Sequence, residues 1–163
     1  MKILLTGGGT GGHINPAIAI AQYVKSHDKS ASILYAGTPN GMEATLVKKA
    51  GFDFAPIRVQ GFSRSFTPKD ILHNFQTVGM TVTSRVRARA ILREFQPDMV
   101  IGTGGYVSGP VVLEATRMGI KTAIHEQNAF PGVTNRLLAK KVDMVFLAVE
   151  EAKEHLDSRI HYQ

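Results

Sequence analysis

Five glycines crowd into the six positions Gly7-Gly8-Gly9-Thr10-Gly11-Gly12, and no other stretch constrains the fold as much. The run follows a short apolar segment, KILLT (2–6). It precedes a helical stretch from about His13 to Ser26, with Ile14, Ala17, Ile18 and Ala21 on one face. Strand, bare turn and helix make the start of a βαβ unit. One or two glycines would suffice for the turn itself. The excess points to backbone that must adopt positive φ, approach a ligand closely and aim helix-start N–H groups at an anion.

Two nucleotide-binding loops share this look, and the neighbouring residues argue against both. A nicotinamide dinucleotide loop of the form G-x-G-x-x-G needs an acid at the end of the second strand to hold the ribose hydroxyls. The second strand here, SILYAG (32–37), ends in Tyr35-Ala36-Gly37, and the next acid is Glu43. A P-loop needs Lys and then Ser or Thr after its last glycine. This chain has His13 and Ile14 there. An anion or sugar-phosphate site is the reading that remains.

The alternation of apolar runs and breakers continues downstream. It predicts a helix from about Gly41 to Lys49, a third strand FAPIRV (54–59), and a helical stretch from about Pro68 to Phe95 with a break near Gly79. Next come a fourth strand with its own glycine turn, DMVIGTGG (98–105), a helix over Val107 to Met118 and a fifth strand, KTAIHEQN (121–128). A helix over Val133 to Ala139, a sixth strand VDMVFLA (142–148) and a short helix over 149–156 complete the series. Strands that read as solid apolar runs are buried on both faces, and their alternation with helices means parallel pairing. Right-handed crossovers then give an α/β fold, a Rossmann-like doubly wound parallel sheet with ligands at the strands' carboxyl ends. With 163 residues, 44% of them hydrophobic, the chain is one domain's worth with enough apolar material for a core. SRIHYQ follows soon after the last element, so the expectation is a single domain of something larger.

Lys and Arg outnumber Asp and Glu by 19 to 13, a net charge of +6. Such a balance suits an anionic partner: acidic lipid, a phosphorylated substrate or nucleic acid. Trp, RNA-binding aromatic motifs and Arg-rich arms are all missing, which makes nucleic acid the least favoured and leaves the expectation of no nucleic-acid partner. Cys is absent, which removes disulfides and thiolate metal sites. The apolar run in MKILLTGGG is too short for a signal peptide, and no segment is long enough to span a bilayer, so a cytoplasmic protein is expected.

Three strand ends converge on one sheet edge. His13 stands at the first helix start, where the positive end of the dipole disfavours an imidazolium. The residues alone leave it either a general base or a hydrogen-bonding histidine without chemistry. GTGGYVSGP (102–110) repeats the strand–glycine–helix design, with Ser108 as a cap and Tyr106 as a sugar or phosphate contact. HEQNAFPGVTN (125–135) places His125, Glu126, Gln127 and Asn128 at the fifth strand's end, where amides and carboxylates suit hydroxyl-rich ligands. A zinc site is not expected from His125 and Glu126, since consecutive strand residues point to opposite faces.

GGGTGGHINPA, GTGGYVSGP and HEQNAFPGVTN in this order, with GTPNGMEATLVKKAGF (37–52), resemble the amino-terminal domain of the MurG family. These are bacterial N-acetylglucosaminyltransferases that convert lipid I to lipid II in peptidoglycan synthesis. The resemblance covers essentially the whole chain. It implies one half of a two-domain GT-B architecture: residues 1–163 form the acceptor-side domain, and the donor-binding carboxyl-terminal domain lies outside this chain. It also implies UDP-N-acetylglucosamine as donor, undecaprenyl-diphosphate-linked lipid I as acceptor, and inverting transfer to the sugar 4-hydroxyl. No cofactor and no metal held through a D-x-D motif are implied.

Carried over by motif, Thr10, Gly11 and Gly12 match the loop facing the donor and the diphosphates, and Asn128 a donor-contacting asparagine. His13 matches the histidine proposed to help deprotonate the acceptor hydroxyl, with Glu126 the second catalytic candidate. Gly104, Gly105, Tyr106 and Asn135 match other acceptor-side positions. In segment 68–95, Ile71, Leu72, Phe75, Val78, Val82 and Val86 fall near one helical face, while Arg85, Arg87, Arg89 and Arg93 add charge. This is either a core-facing stripe with a solvated basic side or a surface resting on anionic lipid headgroups. The family's lipid-anchored acceptor adds weight to the second, and with it a peripheral place on the inner face of the cell membrane.

Overall fold

The computed structural model describes residues 1–59 and 83–156. Within them lie six strands: β1 (Lys2–Thr6), β2 (Ser32–Gly37), β3 (Asp53–Pro56), β4 (Met99–Gly102), β5 (Lys121–Glu126) and β6 (Met144–Leu147). They form one sheet in the order β3-β2-β1-β4-β5-β6, and every pairing is parallel. The chain starts in the middle, winds to one edge, then crosses to build the other half. Between β1 and β4 the winding reverses, which opens a crevice at the carboxyl ends of those two strands. The expected doubly wound α/β architecture is the one observed.

Helices cover both faces: α1 (Gly11–His27) and α2 (Met42–Lys49) on one, α3 (83–95), α4 (Ser108–Arg117) and α5 (Val133–Leu138) on the other. A 3₁₀ turn, Glu150–His155, follows β6. β1 shows why its apolar run is continuous. Ile3 and Leu5 pack with Ala17, Ala21 and Val47, whereas Leu4 points the other way onto Ala88, Leu92, Val112 and Leu138. Leu4 and Leu5 are both fully buried, so cutting either back to Ala removes about 2–5 kcal/mol.

Three expectations need correction. The third strand was expected over 54–59 and runs only over Asp53–Pro56. It is an edge strand paired with β2 alone; the Pro56 nitrogen faces the open edge, and Ile57 N–H makes the last bond to β2, to Gly37 O (2.8 Å). The second concerns segment 68–95, of which α3 keeps 83–95; Ile71, Leu72, Phe75, Val78 and Val82 lie outside the described residues. Val86, read as part of the apolar stripe, is 68% exposed, and the buried face is Ser84, Ala88, Ile91 and Leu92. That face has the spacing of one helical side, with a small polar residue where an apolar one was sought.

The third correction is to the arginine face. Arg89 Nε donates to Glu114 Oε1 at 2.6 Å, and Arg85 Nε and Arg117 Nη1 lie 3.6 Å from Glu114 Oε2. Glu114 is buried. Burial by itself would push its carboxyl pKa up, but the Arg89 hydrogen bond and the charges of Arg89, Arg85 and Arg117 outweigh that and hold it below the ordinary value. Arg87 Nε donates to the Pro56 carbonyl at 3.2 Å. Arg85, Arg87 and Arg89 therefore pin α3 to α4 and β3 while staying partly exposed, so the basic side is ion-paired as well as solvated. Among the described residues no helix is long and apolar enough to cross a membrane.

Candidate active site at the carboxyl edge of the sheet

Three loops leave adjoining strands at the crevice: 7–10 after β1, 103–107 after β4 and 127–132 after β5. The first two lie on each other, backbone to backbone. Gly8 N–H donates to Gly104 O (3.2 Å), Thr103 N–H donates to Thr6 O (2.9 Å), and the Thr103 hydroxyl donates to His13 O (2.6 Å). Gly104 and Gly105 have φ of 107° and 81°, values that L side chains disfavour. A Cβ on Gly105 would overlap the Gly8 carbonyl, and one on Gly104 would stand 2.6 Å from His13 Nδ1. This second glycine pair lets the two loops and the His13 ring meet.

Beneath the first loop lies a floor that the sequence did not announce. The Tyr35 hydroxyl donates to Gly7 O (2.8 Å). Burial, with a smaller push from the Glu43 charge, raises its pKa far above the ordinary tyrosine value, so it stays a donor. Glu43 is fully buried. Its Oε1 accepts from Thr38 N–H (2.9 Å) and the Thr38 hydroxyl (2.5 Å), and its Oε2 from Gly9 N–H (3.4 Å). Glu43 thus serves the loop's backbone. The available signal was an acid in the first turn of α2, just after Thr38 and Gly41.

The other half of the loop is open. Thr10 O accepts from His13 N–H and Ile14 N–H, both at 3.1 Å, and no side chain caps α1. The N–H groups of Gly11 and Gly12 precede these, at the positive end of the helix, where no helical acceptor exists for them. A Cβ on Gly11 or Gly12 would meet no protein atom closer than 3.6 Å, and one on Gly9 none within 4 Å. Thr10 and Gly12 are exposed, and Tyr106 on the second loop is 56% exposed.

His13 sits at the junction, half-buried. Its Nδ1 lies 3.0 Å from Thr103 O and 3.3 Å from Gln127 Oε1. Both oxygens can only accept, so Nδ1 carries a proton and the ring's other nitrogen, Nε2, is the one left for chemistry.

The third loop is organised by Glu126, and here the catalytic expectation does not fit. Glu126 is 1% exposed. Its Oε1 accepts from Gln127 N–H (3.0 Å), Asn128 N–H (3.0 Å) and Asn128 Nδ2 (2.9 Å), and its Oε2 from Gly132 N–H (3.1 Å) and Asn135 Nδ2 (2.9 Å). Five donors fill the carboxylate. It shapes the turn, ends β5 two residues before the expected boundary and presents the exposed Asn128. Asn135, expected as a substrate contact, is 2% exposed and bound to Glu126 and to His125 O (3.2 Å), so it too supports the turn. Ser108, expected as a cap, lies within α4 and donates its hydroxyl to Gly105 O (2.8 Å).

Burial lowers the pKa of His125 despite the opposing pull of Glu126, so this ring is neutral near pH 7. The residues brought to the open crevice are Thr10, Gly11, Gly12, His13, Tyr106 and Asn128; Gly104 and Gly105, expected as substrate contacts, are packed against His13 and Gly8, and Glu126 and Asn135 stand behind the crevice.

Residues 3–147 match the glycosyltransferase family 28 N-terminal domain. Over 159 residues the chain is 46% identical to the UDP-N-acetylglucosamine–N-acetylmuramyl-(pentapeptide) pyrophosphoryl-undecaprenol N-acetylglucosamine transferase of Pediococcus pentosaceus, a match covering 98% of this chain and 43% of that protein. It is 48% identical over 158 residues to the protein of the same name from Leuconostoc citreum, covering 97% of this chain and 42% of that one. The crystal structure of Acinetobacter baumannii MurG superposes with a TM-score of 0.80 at 28% identity, over 99% of this chain and 44% of the other. The chain spans less than half the length of these proteins. With a family match over nearly its full length and the two glycine loops and β5 turn in one crevice, this chain belongs to the glycosyltransferase family 28 N-terminal domain family.

Proposed function

We propose that the chain is the acceptor-side domain of an inverting N-acetylglucosaminyltransferase. It would move N-acetylglucosamine from UDP-N-acetylglucosamine to the 4-hydroxyl of the muramoyl sugar of undecaprenyl-diphosphate-linked lipid I, with the donor domain outside these 163 residues. The names of the relatives support the substrates, and one observation supports the chemistry: the His13 ring is held with Nδ1 protonated, next to open helix-start amides. In this reading the acceptor oxygen attacks the anomeric carbon and its proton passes to His13 Nε2. The bond from that carbon to UDP breaks on the opposite face, and UDP leaves with the electron pair. The N–H groups of Gly11 and Gly12 and the α1 dipole hold diphosphate charge. Tyr106 and Asn128 reach the sugars from the two flanking loops. A lipid-anchored acceptor places the enzyme peripherally on the inner face of the membrane, and the net charge of +6 favours anionic headgroups.

Calorimetric titration of the chain with a water-soluble, short-prenyl diphosphate analogue of the acceptor tests this reading. The analogue is expected to bind, and UDP-N-acetylglucosamine to bind far more weakly, because most donor contacts belong to the missing domain. Saturable binding of a nicotinamide dinucleotide, with none of the acceptor analogue, would overturn it.

A further inference from the structure

We propose that Gln127 is a positioning residue for His13, its side-chain amide joining His13 to His125, holding the pose of the first ring and fixing the tautomer of the second. Its effect on turnover rests on the role proposed for His13; its effect on the rings does not. Gln127 follows β5 directly and is half-buried between the two histidines.

The amide's orientation follows from its surroundings. Nε2 lies 3.1 Å from Thr103 O and 2.9 Å from His125 O, and two carbonyl oxygens require a donor between them. That end is therefore the NH₂. Its two hydrogens are shared among these oxygens and His125 Nδ1, 2.8 Å away; a proton on Nδ1 would face them, so His125 carries its proton on Nε2. Burial keeps this ring neutral, as such an acceptor must be.

The other end of the amide, Oε1, is an acceptor 3.3 Å from His13 Nδ1. Thr103 O, 3.0 Å from the same nitrogen, is shared between His13 and Gln127. Thr103 O alone would leave the His13 ring free to swing about one bond. The second acceptor on one side and Gly104 against the ring on the other remove that freedom. A base must face its proton in one pose, and small misplacements are costly.

Long-range ¹H–¹⁵N imidazole spectra of the chain test this, with signals assigned through His13→Gln and His125→Gln. Unaltered protein is expected to show His13 protonated on Nδ1 and His125 on Nε2. Gln127→Leu, similar in size and without hydrogen bonds, is expected to turn His125 into a tautomer mixture and to shift and broaden the His13 signals, its Nδ1 proton still held by Thr103 O, while core methyl signals stay in place. Gln127→Glu keeps an acceptor for His13 and loses the donor for His125, so only His125 should change. In the complete enzyme Gln127→Leu is expected to lower kcat about 10- to 100-fold, with KM for the acceptor changed by about twofold or less. Unmoved imidazole signals in both variants, or His13 protonated on Nε2 at the outset, would overturn the proposal. Imidazole shifts as described, with normal turnover in His13→Ala, would uphold the positioning and remove only the assignment of His13 as base.

Discussion

Gly7-Gly8 and Gly11-Gly12 are the same dipeptide four positions apart, yet the surroundings demand glycine at only one of them. A Cβ on Gly7 would strike the Thr103 hydroxyl, and one on Gly8 would stand 2.5 Å from Glu43 Oε1. At Gly11 and Gly12 the same added atom finds ordinary contact distances, and neither residue has positive φ. Helix propensity even argues against glycine there, since Ala is the better helix former by about 1 kcal/mol. The first pair is required by the protein. The second pair has no such requirement, which fits a partner that approaches the loop from outside.

The comparison breaks most visibly at the packed side, where Gly105 meets Gly8. Gly105→Ala places a side chain at φ 81° and against a backbone carbonyl that cannot swing aside. The cost is expected to be about 2–5 kcal/mol, from left-handed backbone and overpacking together. In a chain of this size that lowers the thermal unfolding midpoint by roughly 10 °C. An unchanged midpoint would mean that the two loops are not in contact.

On the open side the expected signs are reversed. Gly11→Ala should leave the chain as stable as before, or more stable by up to about 1 kcal/mol. Affinity for the diphosphate acceptor analogue should nonetheless fall about 10- to 100-fold, the loss of one hydrogen bond to a charged group. Calorimetry and a thermal melt on one preparation read both numbers. Undiminished binding would make the second glycine pair a plain turn like the first.

The contrast between the pairs also marks the limit of what the sequence shows. Alternation of apolar runs with glycine turns revealed β1, β2, β4 and the helices between them, because burial on both faces leaves a continuous apolar signature. The edge strand β3, partly exposed along Asp53–Pro56, lacks that signature. His13 and Asn128 stand in motifs, and their place at the crevice was legible from the strand ends they follow. Glu126 was misread because a carboxylate in such a motif looks the same whether its lone pairs face substrate or five protein donors. Arg85 and Arg89 meet Glu114 across two separate elements, and a charge total carries no record of such partners. Glu43 was passed over for coming too late to hold a ribose, and it holds the loop instead.

The central claim is that the packed half of this loop system exists to hold His13 as a base beside the open half. His13→Ala in the complete enzyme tests it, with kcat, acceptor affinity and thermal midpoint measured on one preparation. The expected result is a fall in kcat of roughly 10²–10⁴-fold. Acceptor affinity should stay close to normal, because the Gly11 and Gly12 amides and the α1 dipole remain. Loss of the His13 hydrogen bonds should cost only about 0.5–1.5 kcal/mol each. A folded His13→Ala enzyme that turns over at the unaltered rate would contradict the claim.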